Sequence, residues 1–133
     1  MTWVIEQSTD MVAITDIEGN IEYVNPKFID VTGYLLQEVS GSRSLLLRGG
    51  SLSEQQQKQL RETLKSGREW RGEVRSKKKN GERYWESASI SPLKDSDGRI
   101  THFVLVSEDI TERRKTDRLA AVLRDANDAI TGF

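Results

Sequence analysis

The 133-residue chain has no cysteine, one histidine and two prolines. Without cysteine there is no disulfide, no thiolate-ligated zinc and no thiol nucleophile, and the redox compartment is left open. The lone histidine, His102, opens an apolar strand and has no companion His or Cys to complete a metal site or a triad. Phosphate-binding fingerprints are missing as well: Gly49-Gly50 lacks a following Lys-Ser/Thr and the strand-to-helix setting such loops need. So are long apolar runs. Charged residues make up 31% and mean hydropathy is -0.61, with nothing near the roughly 20 apolar residues that span a bilayer. No leader-like segment opens the sequence. These absences argue against an enzyme and lead us to expect a cytoplasmic domain with no membrane segment. At this length one core is the expectation.

The net charge of -1 conceals an uneven distribution. Residues 1–40 are acidic, residues 41–83 are basic, and the basic block peaks at Arg75, Lys77, Lys78 and Lys79. Nucleic-acid binding would call for a basic surface interleaved with stacking aromatics. Here the run falls at a hairpin tip, where lysines keep strand ends solvated, so no nucleic-acid partner is expected.

What is present is punctuation. The chain is organised around residues 70–111, read as three strands with a turn signal at each join. Trp70 to Lys79 runs into Asn80-Gly81, the signature of a two-residue hairpin. Glu82 to Leu93 follows, with Tyr84, Glu86, Ala88 and Ile90 on one face and Trp85, Ser87, Ser89 and Ser91 on the other. After the turn Asp95 to Gly98, Ile100 to Val106 is so apolar that it should be central. It leads through Asp109 into a charged helical run that starts at Thr111. Upstream, Met11 to Thr15 and Ile21 to Val24 read as strands around Gly19-Asn20. Asn25 and Pro26 start a short helix that buries Phe28 and Val31 and ends at Gly33. Short turns are expected near Leu36–Val39 and Ser44–Leu47. Ser53 caps a longer helix, Glu54 to Lys65, with Leu60 and Leu64 on one face.

These pieces in this order resemble a PAS domain. The C-terminal half is similar in its Tyr84-Trp85 hairpin, its Ser91-Pro92, the D-x-D-G turn and, most specifically, Asp109-Ile110-Thr111-Glu112-Arg113. The N-terminal half is similar at Ile5 to Asp10, Ile14-Thr15-Asp16, Gly19-Asn20, Ile21 to Asn25, Phe28 and Thr32-Gly33-Tyr34. The resemblance covers residues 4–115. It implies an α+β PAS fold: a five-stranded antiparallel sheet with short helices on one face and flanking N- and C-terminal helices. Residues 1–9 would be the N-terminal flanking helix, 10–110 the core, and 111–133 the signalling helix with the start of a second repeat.

The family holds haem, flavin or small acids between sheet and helices, so the resemblance implies a pocket, with candidates at Asn25, Phe28, Arg48, Trp70, Ser76, Glu86 and Ala88. Gly41 to Gly49 has the spacing of the flavin-photoadduct loop of light-oxygen-voltage PAS domains. However, Ser44 stands where the reactive cysteine should be, and cysteinyl-flavin photochemistry is thereby excluded. The stretch Gly41 to Gly72 is more similar to the FAD-holding PAS type of nitrogen-fixation regulators, except that Ser76 replaces an asparagine and removes a two-way hydrogen-bond partner of the flavin edge. FAD is therefore the lesser expectation, and an empty or small-molecule pocket the greater. Haem is disfavoured, because His102 would have to enter from the last strand. Trp70 can be read as a wall for an aromatic ligand or as core closure.

The resemblance further implies a sensory module of a larger bacterial-type signalling protein, with a histidine kinase or diguanylate cyclase as output; a ligand-free homodimerisation or spacer module is the alternative. Asp109, Ile110 and Thr111 would transmit the signal. Trp3, Val4 and Trp85 are large apolar groups without an obvious inward partner, so a homodimer interface is expected there. Val4 to Ala13 aligns without gaps on Val122 to Thr131, with Asp10 matching Asp128, which suggests tandem modules. Leu119, Leu123, Ala126 and Ile130 form a short heptad seam.

Overall fold

The computed structural model describes residues 5–41 and 52–131. Five strands form one antiparallel sheet in the order β2-β1-β5-β4-β3: β1 (Met11–Asp16), β2 (Ile21–Val24), β3 (Trp70–Lys77), β4 (Arg83–Lys94) and β5 (Ile100–Asp109). Helices α1 (Pro26–Thr32), α2 (Leu36–Val39) and α3 (Glu54–Lys65) lie between β2 and β3 in the chain, and α4 (Thr111–Thr131) leaves from β5. The apolar β5 is central as expected, because both its edges are paired and its inner residues pack under the helices. The α+β architecture read from the sequence is the one found.

The three tight hairpins share one construction. Lys78 N donates to Glu82 O (2.8 Å) and Gly81 N to Lys78 O (2.9 Å), and the pattern repeats as Asp16/Asn20 with Gly19 and as Asp95/Arg99 with Gly98. Gly19, Gly81 and Gly98 all have φ of 80–91°. This is a three-residue loop closed by a left-handed glycine, so the two-residue turn expected at Asn80-Gly81 is corrected. No non-glycine residue among those described has positive φ. Asn80 instead uses its Oδ1 to accept from Glu82 N at 2.9 Å, an Asx turn that spares it the left-handed region. The basic tip is not merely solvated. Lys79 N donates to Thr32 O at 2.8 Å and Lys79 Nζ pairs with Glu38, so the hairpin leans on α1 and α2.

Helix boundaries follow their caps. Asn25 caps α1 with Pro26 in its first turn and Gly33 (φ 80°) closes it, while Ser53 and Gln56 form a reciprocal capping box on α3. From α3, Leu60 and Leu64 join Leu52, Trp70, Val74, Ala88, Ile90 and Phe103 in one core cluster. Burying each leucine contributes about 1.5–3 kcal/mol. A second cluster joins Ala13, Ile21 and Val24 to Phe28, Ile29, Leu36 and Val39. Phe28 and Val31 are only half-buried; Thr32 is the buried residue of α1.

Helix α4 runs on to Thr131. Leu119, Val122, Leu123 and Ile130 are 57–70% exposed, so the seam faces away from the domain. Over the internal repeat the two segments differ: Met11–Ala13 is strand, whereas Ala129–Thr131 is helix. The turn expected at Ser44–Leu47 lies outside the described residues.

Candidate functional site

Alternation along β4 puts Tyr84, Glu86, Ala88 and Ile90 under the helices and leaves Trp85, Ser87, Ser89 and Ser91 on the other face. Register aligns four inner rungs across the sheet: Trp70–Ile90–Leu105–Ala13, Gly72–Ala88–Ser107–Met11, Val74–Glu86–Asp109, and Ser76–Tyr84. The last two rungs set the buried Tyr84 and Glu86 beside the half-buried Ser76 and the exposed Asp109. The Tyr84 and Ser76 hydroxyls neighbour the Glu86 carboxyl, which is 9% exposed. Burial pushes the Glu86 pKa above the usual carboxylate range and the neighbouring Asp109 charge adds to this, while the Tyr84 and Ser76 hydroxyls oppose it. Tyr84 is pushed well above the usual tyrosine value, first by burial and then by the charge of Glu86. The sheet interior therefore holds one buried carboxyl with two hydroxyls beside it.

The other pocket candidates divide. Trp70 and Ala88 belong to the core cluster, and the Trp70 indole lies over Gly72 so closely that a Cβ there would come within 2.6 Å of the ring. Trp70 thus closes the core with its own ring, and Gly72 is the residue that makes room for it. Asn25 is fully buried, and its amide is spent: Oδ1 accepts from Val12 N (2.9 Å) and Phe28 N (3.0 Å), and Nδ2 donates to Ile5 O (3.1 Å) and Asp10 O (2.9 Å). With all four positions filled, Asn25 is a clasp between the N-terminal segment, β1 and α1, which corrects its reading as a ligand contact. Phe28 packs in the second cluster. Arg48 lies outside the described residues, as does the loop on which the flavin-type resemblance rests. His102 is paired with Asp16 on the outer face and lies 3.7 Å from Glu22, so it does not enter the interior.

Beside the polar group the last strand becomes the last helix. Asp109 Oδ1 accepts from Thr111 N (3.0 Å) and Thr111 Oγ1 (2.6 Å). Thr111 Oγ1 accepts in turn from Trp85 N at 2.9 Å, and Ile110 N donates to Trp85 O at 2.9 Å. Ile110 is 1% exposed and anchors the junction. The three residues expected to transmit a signal therefore meet, with Ile110 and Thr111 bonded to Trp85 and Asp109 bonded to Thr111. Its indole is not partnerless: the Arg114 guanidinium stacks 3.8 Å from the ring centroid, and Arg114 Nη1 reaches Glu73 Oε1 at 2.7 Å. Trp85 thus has no inward partner, as expected, but its outer face is occupied by a residue of its own chain. Trp3 and Val4 lie outside the described residues. Arg114 and Glu73 were missed from the sequence, because 41 positions separate them and neither sits in a recognisable pattern. A cavity of about 490 Å³ opens at this end of the sheet, against Met11, Lys27, Val31, Tyr84, Asp109 and Thr111.

A sheet of this order, with helices on one face and a strand that runs directly into a helix at its exit, defines the class by fold. The sequence profile of the PAS domain matches residues 9–112, and the chain belongs to the PAS family. It is 34% identical over 101 residues to a blue-light-activated histidine kinase of Rhizobium johnstonii, covering 76% of this chain and 29% of that one. To the nitrogen fixation regulatory protein of Klebsiella oxytoca it is 27% identical over 107 residues, 80% of this chain and 22% of that one. Among solved structures, an RNA-binding light-oxygen-voltage receptor superposes with a TM-score of 0.80 at 24% identity, over 93% of this chain and 36% of that chain. The chain spans less than a third of the length of these curated relatives, which include signalling proteins. No helix among the described residues is long and apolar enough to cross a membrane.

Proposed function

We propose that this chain is the sensory input module of a longer signalling protein and that it transmits through β4 and β5 into α4. One observation carries the reading: Glu86, the buried carboxyl, is register-paired with Asp109, and Asp109 holds the first residue of the outgoing helix. A change in charge or hydrogen bonding at Glu86 thus acts on the helix start through a single rung. A histidine kinase is the output that best suits the reading, given the kinase among the relatives; a diguanylate cyclase is the other. The domain itself carries no chemistry in this scheme and works in the cytoplasm.

For the interior, a small molecule able to donate a hydrogen bond to Glu86 suits the group better than FAD. Ser76 is register-paired with Tyr84 beside Glu86, and Trp70 already covers Gly72, which together support a filled floor beneath a flavin ring. FAD stands as the second reading, supported by the likeness to a nitrogen fixation regulator and to a blue-light-activated kinase. The absorption spectrum of freshly purified protein separates them. Flavin bands that bleach with dithionite would establish FAD, and a colourless protein that takes up no added FAD would remove it.

A homodimer with a helical linker is part of the proposal, supported by the exposed apolar stripe of α4. Light scattering tests it: a strict monomer at high micromolar concentration would remove it. The repeat between Val4–Ala13 and Val122–Thr131 supports a following PAS module, to be tested by sequencing the gene downstream of residue 133.

A further inference from the structure

Trp85 sits between Tyr84 and Glu86, so three consecutive residues of β4 alternate between the buried polar group and the opposite face of the sheet. Its backbone groups and its ring are engaged by Ile110 and the start of α4. Its N–H donates to Thr111 Oγ1, its C=O accepts from Ile110 N, and its ring is covered by Arg114. Past Arg114 the helix leaves the sheet: residues 115–120 are exposed, and Lys115 pairs with Glu112 of the same helix.

We propose that Arg114 is a positioning residue that latches α4 onto the sheet, with the Trp85 indole as its socket and Glu73 as its counter-charge. The planar guanidinium suits both partners at once, since it stacks on an aromatic face and presents N–H groups at its edge. The latch is weak enough to open. Arg114 and Glu73 side chains are 43% and 49% exposed, and a solvated stack plus a solvated ion pair together favour the seated helix by roughly threefold to thirtyfold. That is within the range of typical allosteric couplings. Because the socket is flanked on both sides by the residues of the interior group, a shift of β4 at Tyr84 or Glu86 moves Trp85 and changes the seating of Arg114. The device rests on α4 being the outgoing helix of the module.

The chain has no cysteine, so labels go only where they are placed. Spin labels at Lys58→Cys on α3 and Arg118→Cys on α4, both exposed positions, report the angle of the helix in the whole 133-residue domain. The latch predicts one narrow distance distribution. Arg114→Ala adds a second, broad population, raising the released fraction roughly threefold to thirtyfold, and Trp85→Leu does the same from the socket side. Arg114→Lys restores little, because an ammonium keeps charge but not planar stacking. Glu73→Gln gives a smaller release. An unchanged distribution in Arg114→Ala, or full restoration by lysine, overturns the proposal. Should Trp85→Leu fail to fold, Arg114→Ala decides alone, since its half-exposed side chain is absent from the core. Released helices with unaltered output in the full-length protein would leave the latch standing and sink the signalling reading instead.

Discussion

Replacing Asp109 by alanine tests the junction where strand becomes helix. The substitution removes the single oxygen that accepts from both Thr111 N and Thr111 Oγ1. It also frees the hydroxyl to reorient away from Trp85 N, which it currently accepts from. Loss of a helix-start acceptor costs about 0.5–2 kcal/mol, and the exposed setting of these bonds places Asp109→Ala near 1 kcal/mol. Against the ~5–15 kcal/mol that holds a domain of this kind, the protein stays folded, with a melting temperature lower by about 3–6 °C. The same energy at the helix start is comparable with typical allosteric coupling of ~1–3 kcal/mol. The substitution therefore alters output activity, or its response to stimulus, in the full-length protein. Thr111→Ala, which removes the oxygen held by Trp85 N–H, acts in the same direction. The assay pairs thermal melting of the domain with activity of the full-length protein. A loss of stability with normal regulation in both variants refutes the reasoning, because it would mean that these residues only terminate the strand.

Glu86→Gln changes the pH dependence of stability. The Glu86 pKa is raised in the folded state, so the folded protein binds this proton more tightly than the unfolded chain, and stability falls as pH rises from the ordinary carboxyl value through the folded one. Glutamine keeps the shape without the buried charge, so the variant loses that downward slope and gains on the wild type above the window, by about 1.4 kcal/mol for each unit the pKa is raised; urea melts at several pH values check this, and parallel curves would contradict it. Asn25→Ala strands the Val12 and Phe28 N–H groups and the carbonyls of Ile5 and Asp10. At about 1–3 kcal/mol for each unmet buried group, with partial rescue by water, we expect a loss of about 3–5 kcal/mol in chemical denaturation, and less than 1 kcal/mol would refute the clasp.

Much of the fold was legible because local chemistry and global pattern agree. The caps Asn25 and Ser53, the left-handed glycines and the period of two in β4 each act within a few residues, and the five strands and the helices begun at Asn25 and Ser53 lie near their expected places. The hairpin at Asn80-Gly81 was misjudged at the level of turn type: a dipeptide that permits two left-handed residues does not require them, and contacts of Lys79 with Thr32 and Glu38 favour the wider loop. The site was legible only in part. Alternation placed Glu86 indoors beside Tyr84, and the Asp109 exit was read correctly as a junction. Asn25 was misread because a buried amide looks the same in sequence whether it faces a ligand or four backbone groups. The role of Arg114 was hidden for a different reason, since its partners, Glu73 and Trp85, come from two strands far off in the chain. The long exposed reach of α4 to Thr131 fits a sequence in which no glycine or proline interrupts the run after Thr111 until Gly132.

The central claim is that the buried Glu86 carboxyl and the start of α4 are energetically one unit. A pH titration of the Thr111 and Trp85 backbone amides by nuclear magnetic resonance tests it most directly. The account predicts that both amides shift with the apparent pKa of the Glu86 side chain, raised above its ordinary value, and that Glu86→Gln abolishes this step. Amides that titrate identically in the wild type and in Glu86→Gln would contradict it.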